Sequence, residues 1–451
     1  SCSNLTDMPA FRSLYFHGTT LDITQQVLNE GPYAMLNSTM LVYAIESDPA
    51  DGIPEAIIGS TVIPPLNPGE TYNVFYQVNL DTVTGFSFTH GNWHLACYTS
   101  LGNENCDHNA SDNYIVWQEP AFTYTDALHG VYTVGPGTCD FADPAAALNA
   151  LKTRGISDNT IFYLEPVVFN LQLEFTGIQG TDLSRKIIFR TNPAYSDTAE
   201  IRGTPTPEAN YTLSFRQCNN LSFTNLKISS AGSSDFESTY GRIISIGPDC
   251  SELRFRYNHI DGYSDVSHGG TDNVPIYCQN PTVNLLIDNN LISNGWYGIY
   301  FSGRQASPIS GFTISNNYIK NFYTNGIFLH ETADYSVSGN KISSSNNTDV
   351  GLTGIDFSNS RGGFTCNRNH IMLNSSTGTL YGLISADVDL AEGQPRLITN
   401  NFISCCTGSS FNFGMSIGTT KNTSVAHNSI HIYGISGYIS YCIQFHTFVE
   451  S

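Results

Sequence analysis

The sequence contains little charge and no clustered positive charge. Only 13% of its 451 residues are charged, and 39 Asp and Glu residues against 19 Lys and Arg residues give a formal net charge of −20. Nucleic acids and anionic membranes are bound through clusters of Lys and Arg, and no such cluster stands out here. We therefore expect no nucleic-acid partner.

Long apolar runs are also missing. No stretch of 18 or more apolar residues occurs, so the sequence predicts no membrane insertion. The first residues, SCSNLTDMP, lack the charged and apolar regions of a signal peptide, as expected of a chain whose signal has been removed. Few lysines, many Asn, Ser, Thr and Tyr residues and 11 cysteines favour an extracellular or cell-surface protein in an oxidising environment.

What the sequence does contain is a short repeated phrase in its second half. The phrase has the form apolar-x-[I/V]-x-x-N-x-I and returns every 23 to 32 residues, with its Asn at Asn258, Asn290, Asn317, Asn340, Asn369, Asn401 and Asn428. A second phrase alternates with it and carries Gly298, Gly326, Gly354, Gly382, Gly414 and finally Cys442. Two alternating β phrases with no helix between them predict a right-handed parallel β-helix.

The repeat also predicts local structure. Successive coils of such a solenoid lie about 4.8 Å apart, so equivalent side chains stack. We expect each repeated Asn to occupy a left-handed bend and to bond the next Asn, with the following Ile pointing inward. Cys366 replaces an inward Ile and is expected in the core. Cys218 and Cys250 share one slot on consecutive coils, which predicts a disulfide between them.

The fold class is therefore all-β, in two domains. Residues 1–122 alternate β-rich runs with turn clusters, which predicts an immunoglobulin-like β-sandwich. Residues 123–451 form the β-helix of about ten coils. A short helix at about 143–154, with Asp143 as N-cap, is expected to cover its first edge. The far end shows no cap, so we expect the native product to continue, with further domains or subunits docking there.

Two smaller features of residues 1–122 carry predictions. Cys97 and Cys106 flank a short loop between strands, which favours a hairpin disulfide. Asp48 and Asp51 in SDPADG could hold Ca²⁺, although a solvated turn is the favoured interpretation. Otherwise the sequence predicts no cofactor and no metal.

Several segments resemble known bacterial modules. VLNEG, LNPGETY, GNWHLACY and NASDNYIV resemble the CARDB type of immunoglobulin-like module of bacterial surface proteins, over roughly residues 10–120. VYTVGPGTCDFADPAAALNALKTRGISDNTIFYLEP resembles the opening segment of β-helix domains in secreted proteins of Bacteroidetes-like bacteria. This resemblance implies type IX secretion, a sorting domain beyond this sequence, and O-glycosylation at motifs such as DTV (81–83) and DTA (197–199).

The outward positions of the second phrase supply the candidate ligand-binding residues. One predicted column reads Tyr277, Tyr300, Phe328, Asp356, Ile384, Ser416 and Gln444, and the next reads Gln279, Ser302, His330, Ser358 and Ala386. The exposed rings of Tyr277, Tyr300 and Phe328 would stack on the C–H faces of sugars, with Arg304 in a nearby turn. The alternative is that this column packs under a loop.

If the chain is an enzyme, His330, Glu331 and Asp356 are its candidate catalytic residues. His330 and Asp356 are expected on adjacent coils, within hydrogen-bond reach. A glycoside hydrolase needs two carboxylates, and Glu331 and Asp356 are the only nearby pair. A lyase would need a basic residue with charge neutralisation, for which only Arg304 and Arg361 lie near. An ordinary surface pair of His330 and Asp356 is the competing interpretation.

Signature motifs of polygalacturonases, pectate lyases and alginate epimerases are absent from the sequence. Our leading hypothesis is therefore a secreted or cell-surface adhesin or structural protein that binds a polysaccharide or surface glycan without catalysis. The alternative is a polysaccharide lyase or glycoside hydrolase acting in the β-helix groove.

Overall fold

The chain is described from a computed structural model. The structure describes residues 14–15, 20–29, 31–35, 37–48, 50, 55–83, 86, 88, 91–100, 114–116, 122–124, 127–234, 239–264, 270–279, 282–346, 350–386, 395–407, 411–418, 422–434 and 439–446. In these residues nearly all regular structure is β, with one short α-helix. None of the helices in them is both long and apolar enough to cross a membrane.

Two compact units make up the chain: residues 1–129 with 153–157, and residues 130–152 with 158–451. The division predicted from the sequence lies a few residues before the first of these boundaries. The strands of the first unit are β1 (Leu14–Tyr15), β2 (Thr20–Leu28), β3 (Thr39–Glu46), β4 (Ala56–Ile63), β5 (Thr71–Asn79), β6 (Gly91–Ser100), β7 (Tyr114–Val116) and β8 (Phe122–Tyr124), with a 3₁₀ turn at Leu80–Thr82.

The first unit has two sheets with a shared core. One sheet runs β1-β8-β6-β3-β4, with β7 on β6, and β2 pairs antiparallel with β5 in the other. Side chains of β2 alternate between buried and exposed, the pattern of a strand with one face on a core. Its Leu21 and Ile23 belong to the same buried cluster as Tyr43 of β3 and Trp93 of β6. The unit is thus the β-sandwich that the sequence predicts.

The two smaller predictions for the first unit reach into undescribed parts of the chain. Cys97 is buried, and its Sγ lies 3.1 Å from the donor Nε2 of Gln25. Its expected partner, Cys106, lies outside the described residues, so that disulfide stays a prediction. The Asp48 carboxylate accepts a hydrogen bond from the Ala50 backbone amide, as in a turn. Asp51 also lies outside the described residues, which leaves the Ca²⁺ prediction untested.

The second unit is a right-handed parallel β-helix of ten coils, each with one strand in each of three sheets. Sheet 1 contains β9 (Leu128–Val134), β10 (Ile156–Leu164), β13 (Ile187–Thr191), β16 (Leu221–Thr224), β22 (Arg254–Arg256), β26 (Leu286–Asp288), β30 (Thr313–Ser315), β33 (Thr332–Ser338), β36 (Arg361–Asn367), β39 (Arg396–Thr399) and β42 (Thr423–Ala426), with β29 (Ile309–Ser310) beside β33.

Sheet 2 contains β11 (Val168–Asn170), β14 (Glu200–Gly203), β17 (Lys227–Ser230), β23 (His259–Asp261), β27 (Leu291–Ser293), β31 (Tyr318–Lys320), β34 (Lys341–Asn346), β37 (His370–Ser375), β40 (Phe402–Thr407) and β43 (Ser429–Tyr433). Sheet 3 contains β12 (Leu173–Thr176), β15 (Leu213–Arg216), β20 (Ile244–Ile246), β24 (Ile276–Cys278), β28 (Tyr297–Ser302), β32 (Asn325–His330), β35 (Leu352–Ser358), β38 (Leu380–Ala386), β41 (Asn412–Ile417) and β44 (Ser440–Phe445). Coil 1 is β10–β12, and coil 10 is β42–β44. The remaining short elements are β18 (Ser233–Ser234), β19 (Thr239–Tyr240), β21 (Cys250–Ser251), β25 (Thr282–Val283) and a 3₁₀ turn at Gly270–Asp272.

A ladder of Asn side chains joins the coils at the corner between sheets 1 and 2, as predicted. From Asn258 to Asn401, each Nδ2 donates to the Oδ1 of the Asn on the next coil over 2.9–3.1 Å, and Asn428 accepts the last of these bonds. The same Nδ2 also donates to a backbone carbonyl of the preceding coil. The left-handed residue, however, is the one before each ladder Asn, with φ between 53° and 67°. The expectation that the Asn itself occupies that conformation is wrong, because the bend must come earlier to turn the amide inward.

The repeated glycines face the isoleucines of the ladder phrase. A Cβ on Gly354 would lie 2.4 Å from Cγ2 of Ile371 and 2.5 Å from the carbonyl oxygen of Gly382. The other four glycines of the phrase meet an Ile of the following coil in the same way. Sheet 3 therefore needs glycine at this position for space, since the inward Ile of sheet 2 fills it.

The α-helix found in the described residues, α1 (Pro144–Arg154), has the predicted ends. The Asp143 carboxylate accepts a hydrogen bond from the Ala146 amide over 2.8 Å, which makes it the N-cap. Gly155 follows the helix with φ 66°, the left-handed conformation common after a C-terminus. Strand β9 lies beside β10 as the last strand of sheet 1 at this end.

Candidate functional site

The outward face of sheet 3 carries the candidate site over coils 4 to 7. Tyr277, Tyr300, Phe328 and Asp356 are directly paired on successive strands, so their side chains form one column. Ser302, His330 and Ser358 form the neighbouring column in the same way. The sequence predicts both columns, because the register of a β-strand determines which of its side chains point outward. We call this surface, together with Tyr297, the sheet-3 strip.

Three aromatic rings of the strip stack on one another. The rings of Tyr277 and Tyr300 are 5.6 Å apart and inclined by 7°. Those of Tyr300 and Phe328 are 4.9 Å apart and inclined by 11°. The outer face of Tyr277 is covered as well, because the Arg242 guanidinium lies 3.7 Å from its ring centroid. Tyr277 is only 7% exposed, so the expectation that its ring is exposed is wrong. Tyr300 and Phe328 are partly exposed and present mainly their edges.

This stacking changes the expected mode of sugar recognition. A sugar can stack on Tyr277 or Tyr300 only if one face of the ring is free. Arg242 and Tyr300 cover the two faces of Tyr277. Tyr277 and Phe328 cover those of Tyr300. The prediction that sugars stack on these two rings is therefore not supported by their geometry. What the strip offers instead is a row of aromatic edges and hydroxyl groups at coil spacing.

Tyr297 is the aromatic residue of the strip with a different orientation. Its ring lies 4.9 Å from Tyr300 and 5.7 Å from Phe328, inclined by 63° and 55°. Because Tyr300 and Phe328 are themselves 4.9 Å apart, both lie on the same side of Tyr297. At most one face of Tyr297 is turned toward them, and no other described aromatic ring packs on it. Tyr297 is half-buried, and this burial raises its pKa.

Arg242 closes the strip at its coil-3 end. Its Nη2 donates to the Asp272 carboxylate over 3.0 Å, and its Nε donates to the Thr271 carbonyl over 2.7 Å. These two bonds hold the guanidinium flat on Tyr277, a favourable cation–π arrangement. Arg242 is thus a fixed positive group beside the aromatic rings.

Asp356 follows Phe328 at the other end of the stack. Burial raises the pKa of its carboxyl, opposed by a hydrogen bond from Ser358 and by nearby His330. Ser358 Oγ donates to Asp356 Oδ1 over 2.9 Å. A carboxyl beside aromatic rings with a raised pKa is the environment of a general acid.

His330 lies on the coil adjacent to Asp356, as expected, but no hydrogen bond joins the two side chains. Instead, Nδ2 of Asn359 lies 2.9 Å from Nε2 of His330. An amide nitrogen donates, so Nε2 of His330 accepts this hydrogen bond. His330 is therefore oriented by Asn359, which sequence reasoning did not select.

Glu331 is directed away from Asp356. It has a left-handed backbone with φ 50°, and its Oε2 lies 3.5 Å from Nε of Arg361. Arg361 begins strand β36 of sheet 1, so this ion pair lies at the corner between sheets 3 and 1. The strand ends at His330, and the turn that Glu331 starts carries its carboxylate off the strip.

The remaining predicted residues lie as follows. Arg304 is in an exposed turn, where its backbone pairs with Ser307, and its side chain forms no hydrogen bond or ion pair with a described residue. Cys218 and Cys250 stack on consecutive coils with their Sγ atoms 3.7 Å apart as two thiols, so their disulfide stays a prediction. Cys366 is fully buried as expected, and burial raises its pKa to about 12.

Sequence reasoning missed Tyr297 and Arg242. Both precede the inward residue of a sheet-3 strand by two positions, where a strict period of two predicts an inward side chain. Their contacts with Tyr300 and Tyr277 place them on the outward face instead. Tyr297 stands directly before Gly298 in the second phrase, a slot that was not considered. In the described ranges, no three His, Cys, Asp or Glu side chains come together as a metal site.

No family model and no curated protein matches the chain. Solved structures that resemble it include the surface adhesin PfbA of Streptococcus pneumoniae, at 11% identity, a TM-score of 0.34, and coverage of 66% of this chain and 88% of that one. An alginate lyase from Paenibacillus sp. str. FPU-7 shares 11% identity over 67% of this chain and 97% of that one, with a TM-score of 0.32. The periplasmic alginate epimerase AlgG shares 13% identity over 64% and 71%, with a TM-score of 0.30. The sheets themselves define the chain as a parallel β-helix protein with an N-terminal β-sandwich.

Proposed function

We propose that the protein is a secreted or cell-surface adhesin that binds a polysaccharide or surface glycan along the sheet-3 strip without catalysis. The observation that carries this proposal is the strip itself, in which aromatic edges and hydroxyl groups occur on consecutive coils. The fixed guanidinium of Arg242 lies at one end of it. Such a row offers one set of contacts per coil to an extended polymer. The first unit would serve as a CARDB-like module of a bacterial surface protein, in line with its sequence resemblance.

Within the strip, Tyr297 is the platform on which a sugar ring would stack. Its outer face is not occupied by Tyr300 or Phe328, whereas the rings of Tyr277 and Tyr300 are covered on both sides. Sugar C–H groups would pack on that face, while the phenol group of the partly exposed Tyr300 would hydrogen-bond sugar hydroxyls. Glycan recognition thus combines one apolar contact with several polar ones.

A glycan array followed by titration of the best ligand tests this function. We expect Tyr297→Ala to weaken binding roughly three- to tenfold, the size of one aromatic contact. Tyr381→Ala is the matched control, because Tyr381 occupies the same column on β38 but stacks on Phe413 at 4.7 Å. Unchanged affinity for Tyr297→Ala, or an equal loss for Tyr381→Ala, would contradict the proposal.

One observation favours the enzymatic alternative, a polysaccharide lyase or glycoside hydrolase. Burial raises the pKa of the Asp356 carboxyl, which suits proton donation to a leaving sugar. Hydrolysis also needs a second carboxylate, and Glu331 pairs with Arg361 instead. Incubation with uronate-containing and neutral polysaccharides separates the two functions. New reducing ends or unsaturated products that disappear in Asp356→Ala would establish catalysis and overturn the non-catalytic proposal.

A further inference from the structure

The strands of sheet 2 carry no acidic residue over coils 5 to 10. These strands are β27, β31, β34, β37, β40 and β43. The whole chain has 39 such residues and a net charge of −20, so a carboxylate-free face over six coils stands out. The earlier strands β14 and β23 do carry acids, Glu200 and Asp261.

Basic and aromatic side chains occupy this face on coils 6 to 9. Tyr318, Lys341, His370 and Phe402 are directly paired on successive strands and form one column. Lys320 lies on the same strand as Tyr318, one outward position further along. We call these five residues the sheet-2 column.

The two lysines are held in place but keep their charge available. Nζ of Lys341 lies 4.6 Å from the ring centroid of Tyr318, and Nζ of Lys320 lies 5.7 Å from it. Neither lysine forms an ion pair with a carboxylate in the described part of the chain. By contrast, Lys227 on the same sheet lies 3.3 Å from Glu200. Lys320 and Lys341 are thus positioned by an aromatic ring and not neutralised.

The column also offers an exposed apolar surface. The ring of Phe402 is 44% exposed, and His370 packs against it edge to face with centroids 4.8 Å apart. An exposed aromatic ring next to two cations on consecutive coils can contact both the apolar and the charged parts of one ligand. The ligand must therefore be extended, anionic and partly apolar.

We propose that the sheet-2 column binds a polysaccharide chain that carries carboxylates, a polyuronate. Successive coils place equivalent side chains about 4.8 Å apart. With Lys320 on coil 6 and Lys341 on coil 7, the column presents one lysine per coil. A polyuronate has one carboxylate per sugar, which matches that sparse arrangement. A nucleic-acid duplex carries a charge every ~1.7 Å and needs a denser set of cations. The site lies on a different sheet from the sheet-3 strip and does not depend on it.

Binding of oligogalacturonate to the full chain tests this inference. We expect the unmodified protein to bind it, and Lys320→Ser with Lys341→Ser to weaken binding roughly three- to thirtyfold, the effect of two exposed charge pairs. Affinity should also fall as salt is raised. The same oligomer with its carboxyl groups reduced to alcohols should bind the unmodified protein as weakly as the acidic oligomer binds the double variant.

Two controls make the result specific. Lys152→Ser with Lys186→Ser removes the same charge elsewhere in the second unit and should leave binding unchanged. Tyr381→Ala, a substitution on sheet 3 outside the sheet-3 strip, should leave it unchanged too. The inference is overturned if oligogalacturonate does not bind, if both double variants bind alike, or if the carboxyl-reduced oligomer or a single-stranded DNA of equal length binds as tightly.

Discussion

Single residues show how packing decides chemistry on this scaffold. Asp356 and Glu200 are both half-buried or buried acids on outward positions, yet their carboxyl pKa values shift in opposite directions. At Asp356 burial is the larger effect and raises the pKa. At Glu200 burial also acts upward, but hydrogen bonds from Ser229 and Arg202 and the charge of Lys227 outweigh it and lower the pKa.

This difference predicts opposite pH dependences of stability. Because the pKa of Asp356 is raised in the folded state, its protonated carboxyl contributes to the free energy of unfolding below its ordinary pKa of about 3.9. That contribution is lost as the pH rises through the pKa of the folded state. The free energy of unfolding of Asp356→Asn, relative to the unmodified protein, should therefore increase from about pH 3 to about pH 7. Chemical denaturation at these two pH values measures it.

Glu200→Gln serves as the comparison with the opposite sign. The lowered pKa of Glu200 means that its contribution is present above the ordinary pKa and lost as pH falls through the folded value. Glu200→Gln should thus destabilise the protein at about pH 7 and much less at about pH 3. Parallel pH dependences for the two variants would show that the local environments described for these acids are wrong.

At the scale of the element, the Asn ladder determines how coils stack. Asn340 is 1% exposed and takes part in bonds to the coils on both sides. Its Nδ2 donates to Asn369 Oδ1 and to the Ile314 carbonyl, and its Oδ1 accepts from the amide and backbone of Asn317. Every polar atom of this side chain is therefore satisfied by a neighbouring coil.

Removing one rung should accordingly destabilise the β-helix. We expect Asn340→Ala to lower its free energy of unfolding by about 2–4 kcal/mol, because buried donors and acceptors of two coils lose their partners. Asn374→Ala is the matched control, since Asn374 is an exposed Asn on β37 with no hydrogen bond from its side chain in the described structure. Urea denaturation followed by circular dichroism compares them, and equal midpoints would refute a structural role for the ladder.

Sequence patterns predict these elements well because stacking fixes register. Once Asn317 and Asn340 are aligned, the period of two determines which residues lie on each face, including Tyr300 beside Phe328. The same logic cannot give ring inclinations, so it did not reveal that Tyr277 and Tyr300 cover each other. It also could not orient Glu331, because its direction depends on a left-handed turn and on Arg361 of another coil.

The sheet-2 column was missed for a different reason. Four of the five residues of the sheet-2 column occupy the variable position between Asn and Ile in the repeated phrase. Tyr318, for example, stands between Asn317 and Ile319. The constant positions of the repeat, Asn and Ile, form the scaffold. The variable position between them points outward and forms the surface. Reading that position through the seven copies gives His, Leu, Tyr, Lys, His, Phe and Ser, with no acid.

For the whole molecule, two separate cores predict separate unfolding. Trp93 is 4% exposed in the core of the first unit, and Gly354 has no room for a Cβ in the second. Trp93→Ala should lower only the transition of the first unit, by about 3–5 kcal/mol. Gly354→Ala should lower only that of the second, by about 1–3 kcal/mol.

Differential scanning calorimetry of both variants tests this independence. Gly91→Ala is a control for the glycine substitution, since a Cβ there meets nothing within 4 Å and its φ is not left-handed. A single transition that both core variants shift equally would show that the two units unfold as one.

The ladder and the glycine column have a consequence for how such a chain can evolve. Neither depends on the number of residues between rungs, which varies from 23 to 32 without disturbing the alignment of the Asn residues. Insertions at the corners therefore leave every outward column intact, and duplication of one coil lengthens each column by one position. The spacing of the coils stays constant while the outward residues change. The sheet-2 and sheet-3 surfaces can therefore gain or lose binding specificity independently of each other.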